Sequence, residues 1–198
     1  MHMPYRMSVW LLPLAALLFV ATGFSEESML GLFKKSVEVE VFPAVSGRIT
    51  HQGQAAAGLK LKRGYNYVDA MDETAWDYTV TDDEGRFTFP ELTMKSKHPN
   101  RLFVENRIIQ MIKLDDGRYK AYEDAFIWGA KSRGVKHIAY FVDRLARLNC
   151  DLVDPEMVHQ IIDEEFPDGS VRYEVQSICR WPELEAIEVE KRKKYGEW

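Results

Sequence analysis

Residues 36–42 read SVEVEVF, with Val37, Val39 and Val41 alternating against Glu38 and Glu40. A period of two places the valines on one face and the carboxylates on the other, the pattern of a half-buried strand. Pro43 interrupts the pattern and residues 45–50 resume it; residues 58–63 repeat it, with Leu59 and Leu61 on the apolar face. Short strands flank the Gln52-Gly53 turn. Residues 76–81 and 86–92 read as a second hairpin around Asp82-Asp83-Glu84-Gly85, where glycine supplies the positive φ that a tight turn needs. Residues 64–75, rich in Tyr, Asn, Asp and Glu, read as a loop or irregular crossover, and residues 93–100 as a polar loop ending in His98-Pro99-Asn100. The longest apolar-rich stretch, 102–114, is joined to 118–128 by the turn signal Asp115-Asp116-Gly117.

The pattern is less decided beyond residue 135. Ile138, Phe141, Val142, Leu145, Leu148 and Leu152 fit one helix face, while Tyr140, Val142, Ala146, Leu148, Cys150 and Leu152 fit one strand face; the strand reading is preferred for 148–152. Asp154-Pro155-Glu156 has the form of a helix start, with Asp at the N-cap and Pro in the first turn, and predicts a short helix to about residue 166. Residues 171–179 alternate as a last strand, and from Pro182 the composition is that of a charged helix or a frayed tail. Together these elements predict an all-β, antiparallel sandwich over residues 36–181, with a short C-terminal helix and a charged tail over 182–198.

The N-terminus changes the picture of compartment. Residues 7–20 carry no charge, Arg6 precedes them, and Ala21-Thr22-Gly23 or Gly23-Phe24-Ser25 supplies the small residues of a cleavage site. This is the layout of a signal peptide over residues 1–25. An uncleaved anchor is the alternative, because extension to Phe24 approaches the roughly 20 residues that a spanning helix needs. The expected location is the periplasm or, with an uncleaved segment, the periplasmic side of the inner membrane. The chain has two cysteines, Cys150 and Cys179, and in an exported protein they are expected to form a structural disulfide. A net charge of −5 disfavours nucleic acid as a partner. The one basic run, Lys191-Arg192-Lys193-Lys194, reads as a solvated helix end.

The residues Gly47-x-Ile49, Gly53-Gln54, Gly58-Leu59-x-Leu61 and Thr79-x-Thr81-Asp82-x-x-Gly85-x-Phe87-x-Phe89 resemble the pattern of carboxypeptidase-regulatory-like domains. Ala55 and Ala56 stand where that pattern usually has a proline. The resemblance implies a transthyretin-like, immunoglobulin-type sandwich; the cysteine pair, for its part, would tie the C-terminal extension to it. Such modules are accessory and carry no chemistry of their own. Leu148-Asn-Cys-Asp-Leu152 together with Ser177-Ile-Cys-Arg-Trp181 resembles a family of small exported bacterial proteins of uncharacterised activity.

Candidate chemistry is sparse. On the expected helix from Pro155, Glu156, His159 and Asp163 fall at i, i+3 and i+7, a weak candidate for a metal or acid–base site. Asp82, Asp83 and Glu84 lack the twelve-residue ligand spacing of a calcium loop and read as turn residues; Asp72, Glu73 and Asp77 read as a solvated loop. Ser46 has no nucleophile-elbow context. No catalytic residue, metal or cofactor is assigned. Tyr65, Tyr67, Trp76 and Tyr78 cluster around the first long loop and are the candidate partner-binding residues, because Tyr and Trp supply large contact area at low entropy cost. The expectation is a non-enzymatic periplasmic protein-binding module, for example an immunity-type protein that neutralises a toxin. The alternative is a membrane-anchored envelope structural or assembly module; a hydrolase ranks below both.

Overall fold

The alternating stretches fold as strands whose apolar faces meet between two β layers. The structure is a computed structural model and describes residues 35–165 and 168–196; the expected signal peptide or anchor lies outside the described residues. One compact unit begins at Val37. In chain order its strands are β1 (Val37–Phe42), β2 (Val45–His51), β3 (Gln54–Ala55), β4 (Lys60–Tyr67), β5 (Ala75–Val80), β6 (Arg86–Phe89), β7 (Leu92–Ser96), β8 (Arg107–Leu114), β9 (Phe126–Arg133), β10 (Leu148–Asp151), β11 (Met157–Asp163) and β12 (Ser170–Ser177). Among the described residues two α-helices accompany them, α1 (Ala139–Leu145) and α2 (Pro182–Tyr195).

The larger layer is a six-stranded sheet of order β11-β12-β9-β8-β4-β5, antiparallel throughout. The smaller layer centres on β2, which pairs with β6 and β3 and, in parallel, with β10. A separate ribbon joins β1 to β7. The core is filled from both layers: Val45, Ile49, Phe87, Phe89 and Leu148 from one, Leu59, Leu61, Ile112, Leu114 and Trp128 from the other. Burying side chains of this size contributes about 1.5–3 kcal/mol each. A second cluster, Val39, Val41, Tyr67 and Ile108, fastens β1 to the far ends of β4 and β8. Buried Gln110 links the larger layer to the β1–β7 ribbon, donating to the Val41 carbonyl at 2.6 Å and accepting from Trp128 Nε1 of its own sheet at 3.3 Å.

The all-β sandwich, its C-terminal helix and the Cys150–Cys179 disulfide are present. The Gln52-Gly53 turn closes β2 onto β3 with both residues at positive φ, the geometry of a two-residue hairpin turn. Five local expectations are corrected. Residues 64–67 are not loop, because β4 continues through Tyr67, paired with β8. Residues 82–85 do not close a hairpin: β5 pairs with β4 and β6 with β2, so the turn is a corner between layers. Residues 102–106 precede β8, and residues 117–122 form a 3₁₀ turn ahead of β9. Residues 93–96 are not loop but most of β7, paired with β1; residues 138–152, left open between helix and strand, divide into α1 and then β10, the strand expected there.

The fifth correction concerns residues 155–166. Met157–Asp163 is strand β11, paired along its length with β12. Asp154 and Pro155 serve a turn instead, with the Asp154 N–H on the Asp151 carbonyl at 3.1 Å. A cap-like tripeptide is a local preference, and a full antiparallel ladder that buries Ile161 and Ile162 outweighs it. The segment from Pro182 takes the helical alternative: α2 runs 14 residues, with Glu183 and Glu185 in its first turn and Arg192, Lys193 and Lys194 in its last. That arrangement complements the helix dipole at both ends.

Candidate functional site

Cross-strand register arranges the outward-facing side chains of the six-stranded sheet into rows. One row reads Tyr78–Lys62–Lys113–Phe126 across β5, β4, β8 and β9; the next reads Trp76–Gly64–Met111–Gly129 and continues to Gln176 and Val158. The aromatic rings stand at the two sides of a low floor. Trp76 lies over Gly64, where an added Cβ would come within 2.5 Å of the indole. Phe126 lies over Gly129 in the same way, at 2.9 Å. Only glycine leaves room for these rings to lie down on the sheet.

Lysines complete the surface. Lys60 Nζ sits 4.6 Å from the Tyr78 ring centre, Lys62 Nζ 5.5 Å from that of Trp76, and Lys113 Nζ 4.3 Å from that of Phe126. Each pair is a cation–π contact that keeps an ammonium against a ring. Asp115 pairs with Lys60 at 2.6 Å and Lys62 at 3.5 Å. Its hydrogen bond with Lys60 holds the carboxyl below the usual range and the ammonium above its own. Toward β12 the face deepens into a cleft of about 500 Å³. Its lining includes Met111, Phe126, Arg133, Glu174, Gln176 and Val158.

Strand β5 is the edge of this sheet. It pairs with β4, and no further strand joins its other side among the described residues. Its alternate residues Trp76, Tyr78 and Val80 are exposed, Tyr78 at 55%. The intervening Asp77 turns the other way and holds Arg63 through Nε at 3.0 Å and Nη2 at 2.6 Å. Arg63 is fully buried; it also donates to the Pro90 carbonyl at 2.6 Å and lies between the rings of Phe42 and Phe89. The edge strand is therefore fixed from beneath while its upper side and backbone edge stay open.

The structure divides the four aromatic candidates by strand parity. Trp76 and Tyr78 are on the outer face, but Tyr67 is completely buried and Tyr65 packs against both core clusters. Burial raises the Tyr67 phenol, which donates to Asn106 Oδ1. None of the four lies in a loop. Lys60, Lys62, Lys113 and Phe126 were missed; the alternation of Lys60 and Lys62 with Leu59 and Leu61 carried the signal for the first two.

Glu156, His159 and Asp163 are not brought together. Along a strand at about 3.3 Å per residue, His159 and Asp163 stand about 13 Å apart. Glu156 accepts the Phe126 N–H at the start of β9 at 2.7 Å, and Asp163 accepts the Glu165 N–H in its own turn at 3.0 Å. His159 rests edge-on against Trp181, ring centres 5.0 Å apart, and burial lowers its affinity for a proton. Among the described residues no group of three or more His, Cys, Asp or Glu is placed to hold a metal ion. Asp82 accepts from the backbone of Glu84 and Arg86, so the 82–85 acids shape a turn.

Residues 45–155 match the sequence model of a domain of unknown function, DUF6795, over more than half of the chain. No curated protein matches the chain, and no solved structure does.

Proposed function

We propose that this chain, which belongs to the DUF6795 family, is a non-catalytic binding module that takes a protein partner on β5 and the adjoining outer face. The observation that carries the reading is the open β5 edge with Trp76, Tyr78 and Val80 presented above a fixed strand. An unpaired edge offers backbone hydrogen bonds to an incoming extended segment, and alternate side chains give that pairing its specificity. The aromatic–lysine rows beside it supply large, rigid contact area and positive charge, which suits an acidic partner segment.

An oxidising compartment outside the cytoplasm is the proposed location. The Cys150–Cys179 disulfide and the signal-like layout of residues 1–25 both support it. Among the described residues no helix is long and apolar enough to cross a membrane. The resemblance to carboxypeptidase-regulatory-like accessory modules agrees with a binding role, and an immunity-type protein is one form that role could take.

The test is differential capture from envelope extracts of the source cells, using tagged wild type and the double variant Tyr78→Asp, Val80→Asp. A stoichiometric partner retained by wild type and lost by the variant is the expected result. Equal capture by both would remove β5 as the binding edge.

A further inference from the structure

The connection between β7 and β8, residues 97–106, projects two apolar side chains into water. Leu102 is exposed and Phe103 is fully so. Phe103 also has φ +59, a left-handed conformation that bulky residues rarely adopt. The base of the loop is secured: buried His98 stacks edge-on against Tyr67 at 4.9 Å, and the Asn106 carbonyl accepts the Gly134 N–H at 2.8 Å. A fixed base with an apolar tip is a device for presenting that tip.

The flanking residues are cationic. Lys95, Lys97 and Arg101 are exposed, in a chain whose net charge is −5. Val37, at the start of β1, pairs with Ser96 at the end of β7. Glu38 lies opposite Lys95 and accepts the Thr93 hydroxyl at 3.1 Å. Glu105 is paired with Arg107 and Arg133, while Asp69, Asp72 and Glu73 sit in the β4–β5 loop.

We propose that this end of the sandwich docks on an anionic lipid bilayer, with Leu102 and Phe103 in the interfacial layer and Lys95, Lys97 and Arg101 on the headgroups. Interfacial binding requires a small apolar insertion together with nearby positive charge, and both are present. A stable protein interface needs about 800 Å² from each partner, which two projecting side chains do not supply. The acidic β4–β5 loop, held beside Arg107 by the Val68 N–H at 3.0 Å, is repelled by such a surface, so the contact is made through the β7–β8 tip. The inference stands independently of a partner on β5.

The two native cysteines are bridged, so a cysteine introduced into the full-length chain is a single labelling point. Phe103→Cys, carrying an environment-sensitive fluorophore, is mixed with phosphatidylcholine vesicles with and without phosphatidylglycerol. The same label at Asp83→Cys, in the corner turn at the opposite end, is the control. The expected result is a blue shift at position 103, quenched by lipid-borne quenchers, that requires phosphatidylglycerol and is lost when Lys95, Lys97 and Arg101 are all replaced by Glu. The label at 83 should not move. A water-like emission at 103 on vesicles that sediment with the chain would overturn the proposal. So would a blue shift that grows with protein concentration in the absence of lipid, which would place a second copy on the tip.

Discussion

The two edges of the six-stranded sheet are treated in opposite ways. At β11 the chain builds a cover: Trp181 stacks on His159, and Lys191 Nζ donates to the Ile162 carbonyl at 3.1 Å. The buried Arg144–Glu188 pair at 3.1 Å and the Trp181 Nε1 bond to the Arg144 carbonyl tie this C-terminal layer to α1. At β5 nothing comparable lies over the strand among the described residues, and rigidity comes from beneath through Arg63 and Asp77. Uncovered edges invite unwanted pairing, and proteins usually blunt them. The chain shields one edge with its last helix and stiffens the other without shielding it, and the proposed β5 site rests on that contrast.

The comparison can be broken most strongly at the disulfide, which joins the end of β12 to β10 across the layers. Replacing both Cys150 and Cys179 by Ala should lower stability by about 3–4 kcal/mol in denaturant unfolding, from the entropy of a loop of this size. Hydrogen exchange should quicken in β10, β12 and α2 before it does in β5. Next in size, Arg63→Met should cost about 2–3 kcal/mol: Asp77 loses its partner but retains some solvent. Here the exchange pattern should invert, with β5 opening ahead of β11. Uniform loosening in both variants would mean that the edges are not held separately.

A smaller effect separates the edges by pH. His159 is disfavoured as a cation mainly by burial, then by Arg180, with Arg144 and Arg192 adding to this and Glu185 opposing it. The unfolded chain therefore binds the proton first, at a pH near about 6.5. Stability is complete above that value and falls as pH drops from there through the lower folded value. Thermal unfolding should show this loss in wild type and a flatter profile in His159→Gln; parallel profiles would place the acid sensitivity elsewhere. Smallest of all, Tyr78→Asp with Val80→Asp should cost about 1 kcal/mol, from the lost Lys60–Tyr78 contact and the poor strand propensity of Asp. A large loss would show that the β5 face is structural.

Much of the layered fold was legible from period-two alternation. Val39 and Val41, Leu59 and Leu61, and Phe87 and Phe89 all face inward as their spacing requires. The Gln52-Gly53 turn was legible because its chemistry is local. Pairing was not: Asp82 to Gly85 makes the same local bonds whether the following strand returns to its neighbour or crosses to the other layer. Strand β11 was misread for a related reason, since its ladder partner lies beyond Asp168-Gly169 while the cap-like Asp154-Pro155-Glu156 is contiguous. The site was half legible. Residue type drew attention to Trp76 and Tyr78, but separating them from Tyr65 and Tyr67 required strand parity. Finding Lys113 and Phe126 beside them required the register of three further strands.

Asp151 accepts the backbone N–H groups of Gln52 at 3.0 Å and Gly53 at 2.7 Å, and the Thr50 hydroxyl at 2.9 Å. The turn nearest the start of the domain is thus completed by a carboxylate about 100 positions later, in the strand that lies parallel to β2. Closing so long a loop is entropically slow. The first hairpin to emerge during synthesis or translocation waits, unlocked, for nearly the whole domain to follow. The Gln52-Gly53 turn therefore gains its carboxylate only once β10 has joined β2, while β3 and β6 can pair with β2 before that.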